Sequence, residues 1–134
     1  MFKFFDDTKF GVLPYRSTDG SAGYELVADN DYDLMPGAVT AIHTNVSVDL
    51  PIDWCGLIVG KSGRALKQGM LVLGGLIDSD YKGELIILAT TVIPAVTRII
   101  KGEKAAQLII AKCYMVGHHN RAVRGHGGFG STGL

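Results

Sequence analysis

The sequence carries no surplus of charge: 13 Lys and Arg are matched by 13 Asp and Glu, and charged residues make up only 19% of its 134 positions. A protein that grips nucleic acid or an anionic membrane through a broad basic face needs such a surplus, so that class of partner is excluded and any functional positive charge must be local. Cysteine is scarce, with only Cys55 and Cys113. They lack the C-x-x-C spacing of a zinc site, and each lies in an apolar run, which reads as a buried thiol acting as a small hydrophobe. Long apolar runs are missing too, and Met1 to Asp7 has no signal-peptide core, so a soluble, cytoplasmic protein in a reducing compartment is expected. A disordered chain is excluded, because 47% of the residues are hydrophobic and charge is not in excess.

Glycine is what the sequence has in quantity, at 18 residues against a usual share of about 7%. Apolar residues mostly alternate rather than follow a helical period. Val39 to Leu50 reads as one strand with Ile42, Thr44, Val46 and Val48 on one face. Trp54 to Val59, Met70 to Ile77, Glu84 to Val92 and Ala105 to Val116 read as further strands, separated by Gly and Pro. Only Ser62 to Gln68 reads as a short helix. Many short strands with regular turns predict an all-β sandwich or barrel, with residues 1–116 as its core.

The last segment, residues 117–134, differs in kind. It holds six glycines, two arginines and three histidines, with few large apolar side chains, so it cannot bury a core and reads as an arm. Within it, the run from Arg124 to Gly133 offers many unhindered N–H groups, two hydroxyls and a cation, which suits a polyphosphate. His118, His119 and His126 lack the remaining ligands of a metal cluster.

Two internal segments have chemical content. Gly56 to Ser62 is a near miss for a P-loop, with three residues where four must separate the glycines. Lys61, Ser62 and Gly63 nonetheless suit a phosphate oxygen. Gly75-Leu76-Ile77-Asp78-Ser79-Asp80-Tyr81-Lys82-Gly83-Glu84 reads as a tight hairpin tip. It sets the Asp78 carboxylate at the end of a buried strand, able to take a proton from water, with the flat ring of Tyr81 three residues on.

Together these segments resemble the trimeric dUTPases, whose five ordered motifs are matched over residues 13–133. They are Ser21 to Leu26, Gly60 to Ala65, Gly75 to Glu84, Gly102 to Ile109 and Arg124 to Gly133. The resemblance implies a distorted jelly-roll or barrel-like all-β subunit with one short helix, assembled as a homotrimer with shared active sites. It implies hydrolysis of dUTP to dUMP and pyrophosphate, which limits uracil in DNA and supplies dUMP for dTMP synthesis. Asp78 would activate the water that attacks the α-phosphorus. Gly75, Ile77, Tyr81 and Phe129 would bind the nucleoside, the hairpin reading uracil through main-chain groups and Tyr81 excluding a ribose 2′-OH. Lys61, Ser62, Gly63, Gln107, Arg124, Gly130, Ser131 and Thr132 would hold phosphates, and the arm would close over a neighbouring subunit's site. Mg²⁺ would ride mainly on the substrate phosphates, with Glu25 reaching it through water. No nucleic acid or membrane is implied as a partner.

Three positions depart from the family pattern. Glu25 stands where Asp is usual, Lys61 where Arg is usual and Arg64 where Leu is usual. Lysine supplies a point charge without the planar fork of arginine, and Arg64 either adds charge near the site or faces solvent. Two other classes share parts of the pattern. One is a dCTP deaminase of the same fold, against which Asp78, Tyr81 and the complete arm argue. The other is a regulatory module that binds nucleotide without turning it over.

Overall fold

The computed structural model describes residues 1–6, 8–115, 126–130 and 132–133. Strand β1 spans Lys3–Phe5, β2 Tyr24–Val27, β3 Tyr32–Leu34, β4 Thr40–Ile42, β5 Ser47–Asp49 and β6 Trp54–Val59. Helix α1 spans Ser62–Gln68, followed by β7 Met70–Leu73, β8 Leu76–Ile77, β9 Ile87–Thr91, β10 Thr97–Ile99 and β11 Lys104–Lys112. Among the described residues the chain is all-β with one short helix, and its sheets do not close into a barrel.

The largest sheet runs in the order β2-β11-β6-β8, and a second runs β4-β9-β7. Two antiparallel ribbons, β1 with β5 and β10 with β3, complete the architecture. Alternation sorts the faces. In the four-stranded sheet Leu108 pairs with Ile58 and Tyr24 and faces inward, whereas Ile109 pairs with Leu57, which pairs with Leu76, on the outer face. Leu26, Leu34, Ile42, Leu85, Ile87, Ile99 and Leu108 are completely buried, and each contributes on the order of 1.5–3 kcal/mol of apolar transfer.

Two long strands expected from alternation are broken. The run 39–50 keeps Ile42, Thr44, Val46 and Val48 buried but divides into β4 and β5, with Asn45 at φ 62° between them. The run 70–77 divides into β7 and β8 at Gly74 and Gly75, both at positive φ. A buried side-chain pattern survives a turn as well as a strand, so alternation cannot reveal the break.

Helix α1 buries none of its residues and is far too short to persist on propensity alone. Arg64 holds it. Its Nε donates to Lys104 O at 2.7 Å, one terminal nitrogen donates to Gln68 Oε1 at 2.9 Å, and the other pairs with Glu103 Oε2 at 3.1 Å. The side chain that departs from the family pattern is therefore a clamp between α1 and the turn entering β11.

The cysteine expectation is corrected. Cys55 and Cys113 form a disulfide across β6 and the end of β11, with Cα atoms 6.2 Å apart, and both are half-buried rather than buried. The pairing comes from sheet register, which sets Cys55 opposite Ala111 and so brings Cys113 beside it from 58 residues away.

Candidate functional site

The third motif folds around an obligatory glycine. Gly75 sits at φ 101°, and a Cβ there would lie 2.4 Å from the Ile58 carbonyl oxygen. That close approach lets Gly75 O accept from Ile58 N at 2.8 Å and welds the motif to β6. β8 follows with Ile77 buried, and the chain turns through Asp78, whose carbonyl accepts from Tyr81 N at 3.1 Å. A cleft of about 160 Å³ results. Gly75, Ile77, Tyr81 and Phe129, the four residues expected to hold a nucleoside, all line it, with Gly74, Ile86, Leu88 and Glu84. Asp78 is half-buried in the turn joining two of the lining residues. Tyr81 is 9% exposed, and its hydroxyl donates to Glu84 O at 2.6 Å.

A second cluster gathers at the outer end of β11. Lys61 Nζ donates to both carboxylate oxygens of Glu25, each at 2.7 Å. The Glu25 side chain is only 5% exposed and that of Lys61 27%. Gln107, register partner of Glu25 and Val59, donates through Nε2 to Gly60 O at 3.0 Å. Glu25, Gln107 and Lys61 thus fix the loop that delivers Ser62 and Gly63, both exposed at the start of α1. Lys61 and Gly63 also line an open groove of about 610 Å³ with Arg64, Lys67, Glu103 and Lys104.

Within one chain the two clusters share no lining residue. Gly128 and Phe129 approach the cleft of their own subunit, with Phe129 still 68% exposed. Gly130 and Thr132 are exposed and outside both clusters. Arg124 and Ser131 lie outside the described residues, as do His118 and His119. Sequence reasoning passed over Glu84, Ile86 and Leu88. The alternation of residues 84–92 was visible, but not which cavity its one face would line.

The described residues gather no group of three His, Cys, Asp or Glu side chains of the kind that holds a metal directly. Both oxygens of Glu25 are engaged by Lys61. Glu25, the carboxylate expected to face the cation's water, is nearly buried and closed off by Lys61, so its oxygens do not fit that role, and a hard cation would be carried by a polyphosphate and its own water.

The fold and site define a class: an all-β protein with a glycine-edged cleft in its third motif and a separate charged cluster around Lys61. A family model described as dUTPase matches residues 10–133. The deoxyuridine 5′-triphosphate nucleotidohydrolase of Corynebacterium diphtheriae is 36% identical over 130 residues, covering 91% of this chain and 86% of that protein. Among solved structures, a Staphylococcus bacteriophage 80alpha dUTPase with dUpNHpp superposes with a TM-score of 0.80 at 24% identity, covering 100% of this chain and 99% of that one. A mutant dUTPase of phage phi11 of S. aureus, which coordinates a structural Mg(II) ion, superposes with a TM-score of 0.79 at 23% identity, covering 90% and 95%. The chain belongs to the dUTPase family. Its one described helix is seven residues long, and no described helix is long and apolar enough to cross a membrane.

Proposed function

We propose that this chain hydrolyses dUTP to dUMP and pyrophosphate, with Asp78 orienting and deprotonating the water that attacks the α-phosphorus. The observation that carries the reading is the turn in which Asp78 stands between Ile77 and Tyr81, two walls of the cleft, with its own carbonyl tied to Tyr81 N. Asp78 is not itself among the residues lining the cleft, and the reading requires a nucleoside seated against those walls to direct its 5′ substituent toward that turn. A general base so positioned contributes typically ~10²–10⁴-fold.

The uracil edge meets the glycine-lined hairpin, where peptide groups can read it and a 5-methyl has no room. Tyr81 packs against the deoxyribose, and Phe129 covers the base. Lys61, Ser62, Gly63 and Gln107 serve the phosphates, joined by Arg124, Gly130, Ser131 and Thr132 of the arm. Closure of the arm over the substrate expels water and strengthens the charge interactions. Mg²⁺ carried on the substrate phosphates would supply positive charge against the leaving pyrophosphate.

Homotrimer assembly with shared sites is part of the same proposal. Leu57 and Leu76, 37% and 61% exposed, continue the row begun by Ile109 on the outer face of the four-stranded sheet. Gln107 lies two residues from Ile109 on that same face. A neighbour docking on that row, whose Leu76 also lines this subunit's cleft, would lie against Gln107 of the Glu25–Lys61–Gln107 cluster. In the trimer, the arm of a neighbouring subunit takes the place over each cleft.

The test is pyrophosphate release from dUTP, dTTP, UTP and dCTP, with and without Mg²⁺. Turnover confined to dUTP is expected, whereas equal turnover of dTTP and UTP refutes the pocket. Ammonia release from dCTP would indicate a deaminase of the same fold. Asp78→Asn should lower kcat by about 10²–10⁴-fold while dUTP binding persists in calorimetry. Retained activity would move the base elsewhere.

A further inference from the structure

We propose that Glu84 is a positioning residue for substrate selection. Its carboxylate locks the peptide that anchors Tyr81, and so sets how closely the cleft wall approaches the sugar. The inference rests on reading the cleft as the nucleoside pocket.

The argument starts at the break between β4 and β5. The ladder of β4 ends at Ile42, and Asn45 takes a left-handed conformation at φ 62°, so the N–H groups at the turn need an acceptor other than a strand. Glu84 supplies it from 39 to 41 residues away. One carboxylate oxygen, Oε1, accepts from Thr44 N at 3.1 Å and from Asn45 N at 2.8 Å. The other, Oε2, meets His43 Nδ1 at 2.9 Å. The next residue is stitched to the same turn: Thr44 Oγ1 donates to Leu85 O at 2.6 Å, and Leu85 N donates to Val46 O at 2.8 Å. The Glu84 side chain is 28% exposed, so these charge-assisted bonds are partly shielded from water.

The backbone of the same residue anchors a wall of the cleft, of which Glu84 is itself a lining residue. Glu84 O accepts the Tyr81 hydroxyl at 2.6 Å. Gly83 permits the approach, because a Cβ there would stand 2.6 Å from that hydroxyl oxygen. The ring is thus held by its tip against the peptide of a residue whose carboxylate is tied to the turn at 43–45. Loosening the carboxylate lets the peptide move, and the ring moves with it. Substrate-discriminating walls tolerate only about 0.5 Å of such displacement.

Steady-state kinetics on dUTP and UTP with the full chain test this. Glu84→Ala should lower the dUTP-to-UTP ratio of kcat/KM by about tenfold, mainly by raising KM for dUTP and with less change in kcat. Glu84→Gln keeps an acceptor oxygen for Thr44 and Asn45 and should recover most of the ratio. If Glu84→Ala does not fold, Glu84→Asp carries the test, since its shorter carboxylate cannot reach all three partners; a fall of about threefold is expected. A folded Glu84→Ala or Glu84→Asp with the parent ratio overturns the proposal. So does an equal loss on both substrates, which is the mark of a purely structural role. Tyr81→Ala separates the two layers. If it leaves the ratio unchanged, the pocket reading fails. If it lowers the ratio while the Glu84 variants do not, only the role of Glu84 fails.

Discussion

Lys61→Met, compared with Glu25→Gln and the double variant, measures the pair in which this chain departs twice from its family pattern. Glu25 is a carboxylate with a side chain 5% exposed, and its two oxygens both depend on one ammonium at 2.7 Å. Removing one partner of a buried pair costs about 3–5 kcal/mol, because the survivor is left charged without compensation. The Lys61 side chain is 27% exposed, so water already screens part of the interaction, and about 2–3 kcal/mol is the expected cost of Lys61→Met. Glu25→Gln should cost less, about 1 kcal/mol, because the freed lysine can swing into solvent. The double variant leaves no buried charge and should recover most of the loss, ending about 1 kcal/mol below the parent, which is a coupling of about 2–3 kcal/mol.

The assay is urea unfolding followed by the single tryptophan, Trp54 in β6, at fixed protomer concentration so that assembly contributes equally. With a slope near 2 kcal/mol per molar, Lys61→Met should lower the midpoint by about 1 M. A Lys61→Met midpoint equal to the parent's would refute the reasoning. So would a double variant whose loss is the sum of the singles, since the two side chains would then not depend on each other.

Two further outcomes follow from the fold. Gly75→Ala should destabilise by about 3 kcal/mol, combining a left-handed backbone with a Cβ forced onto the Ile58 carbonyl, and should weaken dUTP binding more than a stability loss of that size at a remote site; calorimetry beside urea unfolding reads both. Tyr32 supplies a pH test: burial, and then its hydrogen bond to Asp29, raise its phenol above the ordinary 10.0. The folded state therefore favours the protonated ring, and this stabilisation is complete below 10.0 and withdrawn as pH rises through the raised value. The parent should lose stability relative to Tyr32→Phe on going from about pH 8 to about pH 11, and an unchanged difference between the two would contradict it.

The amino-acid pattern by itself determined the all-β class and the short helix, and the family resemblance it carries named four residues that line the cleft. Those are local properties: alternation reports which side chains a strand buries, and Gly75, Ile77 and Tyr81 are neighbours along one hairpin. Only the tertiary structure decided how distant residues meet. Cys55 and Cys113 read as separate buried thiols because 58 residues lie between them, and the β6–β11 register is what brings them together. The substitutions at 25 and 61 looked like two independent weakenings, yet they form one ion pair across a separation of 36 residues. Arg64, read as either a charge near the site or a solvent-facing one, is the clamp on α1 and lines the groove beside Lys61. Glu84 ended a recognisable motif without a role, because the groups it holds lie on a turn hidden inside an unbroken alternating pattern. Strand register and chain crossing create such contacts, and neither leaves a periodic trace in the residues they join.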